Sequence, residues 1–169
     1  MREKCPDMND ESIRYIFDRI YEEADKASTC LKVTVGAQFI PDTESCCTEP
    51  VIITSNSSID KYNCKKEGKC YKAELTGIYE SCEETRKYCK ATHAEINLLK
   101  ALEHLQIDPS KGVLYVTRYP CYNCAKECVK NGIKQIVYAG RQEISDDVKK
   151  LFSDNNVSVT WYPGIDYEN

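Results

Sequence analysis

Two short segments constrain this chain more than anything else in it: His93-Ala94-Glu95 and Pro120-Cys121-Tyr122-Asn123-Cys124. Each stands at the start of a predicted helix. One continuous apolar run, Val113-Leu114-Tyr115-Val116-Thr117, lies between those helices and reads as a buried central strand. Taken alone, Cys-x-x-Cys fits structural zinc, a redox pair or chance. A thioredoxin-like pair gives His93-Ala94-Glu95 no role, and a purely structural zinc site has no use for Glu95. The joint placement suits a catalytic zinc site with three protein ligands, His93, Cys121 and Cys124, and a fourth position open. Two thiolates need a positive environment, and a helix N-terminus supplies free N–H groups and the positive dipole end. Residues three apart share a helix face, so both sulfurs can aim at one ion. Pro120 fixes the approach where its missing N–H costs no hydrogen bond. Glu95 is assigned as general acid/base rather than ligand.

The rest of the chain alternates the two periodicities. Residues 11–27 carry Ile13, Ile16, Phe17, Ile20, Ala24 and Ala27 at amphipathic helical spacing. Val33, Val35, Ala37 and Phe39 alternate as a strand does, and Pro50-Val51-Ile52-Ile53-Thr54 reads as its antiparallel partner. After the helix of Ile96 to Leu105 and the strand at 113–117, Pro120 opens a helix that closes at Asn131-Gly132. Ile136-Val137-Tyr138-Ala139 is the next buried strand, Ser145-Asp146-Asp147 starts a helix, and Val157, Val159 and Trp161 mark a last strand. The order α-β-β-α-β-α-β-α-β predicts a three-layer α/β/α sandwich on a five-stranded mixed sheet. It is read as one domain over 1–169, with a Cys-rich insertion at about 56–90.

Cysteine is the odd count, eleven against two histidines. With no apolar segment behind Met1-Arg2-Glu3-Lys4-Cys5-Pro6, a secretory signal is not expected, and disulfides are disfavoured. The expected location is cytoplasmic. No apolar run approaches the roughly 18 residues of a membrane span. The net charge of −4, and the lack of a basic, aromatic stripe, argue against a nucleic-acid partner. Residues 56–90 are polar and irregular, and a structureless loop of that length is improbable unless a function or a metal orders it. His104 reads as a surface or packing histidine, and Cys5, Cys30 and Cys128 as ordinary thiols.

The paired segments resemble the H-x-E…P-C-x-x-C signature of zinc-dependent nucleobase deaminases. The likeness extends over roughly residues 10–140. Ser28-Thr29-Cys30-Leu31-Lys32 with Val35-Gly36-Ala37 looks like the S-x-C-x-R…V-G-A stretch of deoxycytidylate (dCMP) deaminases. Cys89 to Asn97 resembles their C-R-A-x-H-A-E-x-N segment, and Tyr115 to Lys126 their Y-V-T-x-x-P-C-x-N-C-A-K. The resemblance implies a cytidine deaminase-like fold, a zinc-dependent hydrolase and a nucleotide substrate, with dCMP converted to dUMP and ammonia released. Other small cytosine or modified pyrimidine nucleotides or nucleosides, and a noncatalytic zinc-binding module, stay open as alternatives. By the same resemblance the Ala94 N–H would bind the pyrimidine carbonyl, Asn56 would lie by the sugar, and Lys32 would meet the 5′-phosphate. Lys32 stands where the family has Arg, and keeps the charge without the bidentate fork. Thr54-Ser55-Asn56-Ser57 replaces a G-Y-N-G turn, which puts effector control in doubt. A homo-oligomer is implied. So is a second, structural zinc, drawn from Cys46, Cys47, Cys64, Cys70, Cys82 and Cys89.

Overall fold

The structure is a computed structural model that describes residues 9–42, 52–58, 60–79, 83–140 and 144–165. Helix α1 (Asp10–Ala27) starts where the Asn9 side chain accepts the Ser12 N–H, and buries the stripe Ile16, Phe17, Ile20 and Ala24. Strands β1 (Gly36–Pro41) and β2 (Ile52–Ser55) follow. The insertion runs through β3 (Ser57–Ser58), α2 (Cys64–Glu67), α3 (Tyr71–Thr76), α4 (Glu83–Arg86) and β4 (Ala91–Thr92). Then come α5 (Ala94–His104), β5 (Gly112–Val116), α6 (Tyr122–Lys130), β6 (Gln135–Tyr138), α7 (Asp146–Asp154) and β7 (Ser158–Trp161).

The main sheet has the order β2-β1-β5-β6-β7. β1 is antiparallel to β2 and β5, whereas β5, β6 and β7 run parallel, so the five-stranded mixed sheet is as the pattern predicts. Period-2 alternation explains the layers. Leu114 and Val116 of β5 face a core shared with Leu98 and Leu102 of α5, Ala125 and Cys128 of α6, and Phe152 of α7. Their neighbours Val113 and Tyr115 face the opposite core, with Ile16, Phe17 and Ile20 of α1. A strand apolar on both faces belongs at the centre of such a sheet. Phe17 meets Tyr115 edge-on at 5.9 Å and stacks on Tyr162 at 5.7 Å. α1 lies so close that a Cβ on Gly36 would stand 2.5 Å from Ile20 Cγ2 and 2.8 Å from Ala24 Cβ.

Two expectations change. The first strand begins at Gly36 rather than Val33, because the Asn56 amide takes the Val33 carbonyl (2.8 Å) and the Asn56 N–H takes that of Val35 (3.0 Å). The segment expected to be irregular contains three short helices and the β3–β4 ladder. The Asn63 side chain caps α2, while Gly68 and Gly77 close α2 and α3 in the left-handed conformation. Among the described residues no helix is long and apolar enough to cross a membrane.

Candidate functional site

His93 and Cys121 occupy equivalent places, each the extended N-cap residue of its helix, α5 and α6. Neither side chain serves as a regular helix cap, and the two meet each other beside the helix N-termini. Both helices pack on the same face of strand β5, against Leu114 and Val116. The result is a tight cluster. His93 Nδ1 lies 3.6 Å from Cys121 Sγ and 3.3 Å from Cys124 Sγ, and all three donor atoms are within 4.8 Å of one another. It is the one such group of metal-ligating side chains among the described residues. With Zn–S of about 2.3 Å and Zn–N of about 2.0–2.1 Å, tetrahedral ligation puts nitrogen and sulfur roughly 3.6 Å apart. The donor set and the spacing fit zinc.

The electrostatics of the cluster suit a cation. Cys121 is held down to about 3 by the hydrogen bond from Cys124, with His93 adding to the effect. The same shared proton and burial push Cys124 up. His93 is raised, first by its hydrogen bond to Cys121. Glu95, in the first turn of α5, is only 4% exposed, and burial raises its carboxyl even though Cys124 lies within hydrogen-bonding reach. A buried carboxyl beside a metal-type cluster can accept and return a proton without competing as an exposed anion would. Cys128, on the next turn of α6, is a core thiol that burial holds neutral.

The three residues assigned to substrate by resemblance sit differently. Ala94 is fully buried at the first helical position, where its N–H has no acceptor within the helix. Its carbonyl accepts from Thr54 Oγ1 at 2.8 Å. Asn56 is buried, and its side chain is engaged by the protein: Oδ1 accepts from Ser28 Oγ (2.7 Å) and the Val35 N–H (3.0 Å), and Nδ2 donates to Val33. Lys32 Nζ donates to the Tyr79 carbonyl and lies 4.6 Å from the Tyr79 ring centre, tying the end of the α3 segment to the loop after α1. An open hollow of 490 Å³ at the β2 edge is lined by Arg19, Glu23, Thr54, Ser55, Ser57 and Asn97, and contains none of the three clustered ligand residues.

Sequence reasoning missed two features. Arg86 of α4 donates from Nη1 to Cys121 Sγ at 3.8 Å. It sits seven residues before His93 in a segment without periodicity, so no spacing rule could have flagged it. The second is that the loop carrying Cys30, itself read above as an ordinary thiol, is tied to the Cys-rich segment. Backbone ties bring its surroundings together with those of Cys64, Cys70 and Cys89. The Lys65 N–H bonds the Thr29 carbonyl at 3.3 Å, and the Ser58 N–H bonds Thr29 Oγ1 at 2.8 Å. Ser58 pairs with Ala91, and Lys90 Nζ lies 4.7 Å from the Tyr71 ring centre. Burial, joined by repulsion from the other thiols of this group, raises Cys64 and Cys89. Of the six cysteines expected to supply a structural ion, Cys46, Cys47 and Cys82 lie outside the described residues, as does Cys5.

The sequence model of the MafB19-like deaminases matches residues 10–159. ComE operon protein 2 of Bacillus subtilis (strain 168) is 27% identical over 133 residues, covering 78% of this chain and 61% of that protein. The chain spans about three fifths of the length of the curated relatives it matches. Among solved structures, the dCMP deaminase of cyanophage S-TIM5 in complex with dCMP and dUMP superposes with a TM-score of 0.56 at 20% identity, covering 88% of this chain and 96% of that one. A diaminohydroxyphosphoribosylaminopyrimidine deaminase/reductase of Thermotoga maritima gives 0.59 at 17% identity, over 90% of this chain and 37% of that one. At these identities the superpositions establish the fold.

Proposed function

This chain belongs to the MafB19-like deaminase family, and we propose that it is a zinc-dependent hydrolase that deaminates a pyrimidine nucleotide, dCMP to dUMP with release of ammonia. The observation that carries the reading is the cluster itself: His93 Nδ1, Cys121 Sγ and Cys124 Sγ at zinc-ligand spacing, with the buried Glu95 carboxyl beside them. His93, Cys121 and Cys124 would hold the ion, which when bound supplies Lewis-acid activation of a water nucleophile. Glu95 takes a proton from the attacking water and delivers it to the ring nitrogen. It then helps the amino group leave as ammonia. The Ala94 N–H faces the pyrimidine carbonyl and holds the ring in register, and the first turns of α5 and α6 favour the negative charge of the thiolates.

A structural zinc is the second part of the proposal. Cys30, Cys64, Cys70 and Cys89, whose sulfurs do not stand at ligand spacing in the structure, would supply an all-thiol set of the kind that closes around structural zinc once an ion draws them together. An ion there accounts for the order of a segment built from helices of four to six residues. The chain is read as a single domain that assembles with copies of itself.

The engagement of Lys32 with Tyr79 favours a second reading, in which the substrate is a nucleoside or another small pyrimidine without a 5′-phosphate. Ammonia release from a panel of cytosine nucleotides and nucleosides separates the two. The nucleotide reading expects dCMP to be turned over in preference to deoxycytidine, by a margin that Lys32→Ala removes. A preference for deoxycytidine overturns the phosphate site.

A further inference from the structure

A zinc ion held by two thiolates and an imidazole carries its charge largely cancelled, and an ionised Glu95 beside it adds a negative charge. Thiolate donation also weakens the ion as a Lewis acid, so a site of this composition gains from a donor that draws electron density off sulfur. The structure contains one in place. Arg86 Nη1 points at Cys121 Sγ across 3.8 Å, and the guanidinium is near enough to His93 to oppose its protonation. Arginine suits the task because its charge is permanent and its N–H fork is rigid. It is also half-buried, so water screens the contact only in part. Its carrier, α4, has four residues and ends three positions before Cys89, so whatever orders the thiol group also delivers the guanidinium to the reaction centre.

We infer that Arg86 is a positioning residue for the reaction: an outer hydrogen-bond donor to the Cys121 thiolate that sets the Lewis acidity of the ion held by His93, Cys121 and Cys124. The inference rests on the zinc reading proposed above. It makes Arg86 an actor through sulfur and not a contact of the substrate, and it links the Cys-rich segment to chemistry through one side chain.

Cobalt(II) substitution of the full chain reads this without turnover. The band to follow is the part of the sulfur-to-cobalt charge transfer that Cys121→Ser removes. In Arg86→Gln that component shifts to longer wavelength, since an unbonded thiolate gives up charge more easily, and in Arg86→Lys it shifts less. Zinc-loaded Arg86→Gln loses about 10–100-fold in kcat with KM little changed, the usual scale for an outer partner of a metal ligand. A band that stays in place in both variants overturns the inference, and so does an effect confined to KM, which would make Arg86 a substrate contact. The absence in the wild-type protein of any band component sensitive to Cys121→Ser would sink the zinc reading itself, and is thereby distinguishable.

Discussion

Glu95→Gln should stop deamination and leave the zinc content unchanged. Glutamine matches glutamate in shape, so the substitution keeps the packing of a side chain that is almost wholly buried in the first turn of α5. What it removes is the capacity to take up and return a proton at that position. General acid–base contributions are worth about 10²–10⁴-fold, and kcat should fall by that factor. Burial already holds the Glu95 carboxyl above its ordinary range, so the neutral glutamine replaces a group whose charge is penalised there, and folding should not suffer. Ammonia release measured beside zinc content is the check. Turnover within a few-fold of wild type would refute the assigned role, and zinc lost together with activity would make Glu95 a ligand. The same variant separates an enzyme from a noncatalytic zinc module, for which the carboxyl is dispensable.

The second large effect is expected at the thiol group. Reduced protein should carry about two zinc ions per chain, and Cys64→Ser about one, because a four-cysteine site loses its closed shell with any one ligand. Structural zinc contributes folding free energy directly, about 10–16 kcal/mol apparent in small zinc-finger peptides, so the consequence should be local unfolding. The segment carrying α2 and α3 is held by polar and aromatic contacts, with Lys65 reaching Asp25 and Thr34. Tyr62 packs edge-on against Tyr71 at 5.1 Å, and Lys90 reaches Asp60 at 2.6 Å. Protease cleavage between residues 60 and 79 should therefore appear in Cys64→Ser and not in wild type. Wild-type protein with about one zinc per chain under reducing conditions would refute the second site.

Most of the frame was legible because it rests on periodicity. The stripe Ile16, Phe17, Ile20 and Ala24 announces α1, and the doubly apolar run at 113–116 could only be a central strand with a layer on each face. The proximity of His93, Cys121 and Cys124 was legible for a local reason: side chains at N-caps and first turns are placed by helix geometry within a few residues. Legibility ended where long-range bonds decide. Val33 and Val35 alternate like a strand, yet their carbonyls are taken by Asn56, twenty-one or more residues away, and the ladder starts only at Gly36. Helices of four to six residues show no period, although Asn63, Gly68 and Gly77 supply readable caps. The loop of Cys30 is tied to the start of α2 by the bond from Lys65 to Thr29, and Arg86 meets Cys121 across thirty-five residues of sequence. No window of sequence contains either pairing.

The central claim is that the ion held by His93, Cys121 and Cys124 makes this fold a deaminase. Stripping the reduced protein of metal with a chelator, then returning zinc while following ammonia release from dCMP, tests it directly. The account predicts that turnover vanishes with the metal and returns with zinc, and that Cys121→Ser protein treated in the same way stays silent. Full ammonia release from the stripped protein, or silence from zinc-loaded wild type on dCMP and every other pyrimidine tried, would contradict it.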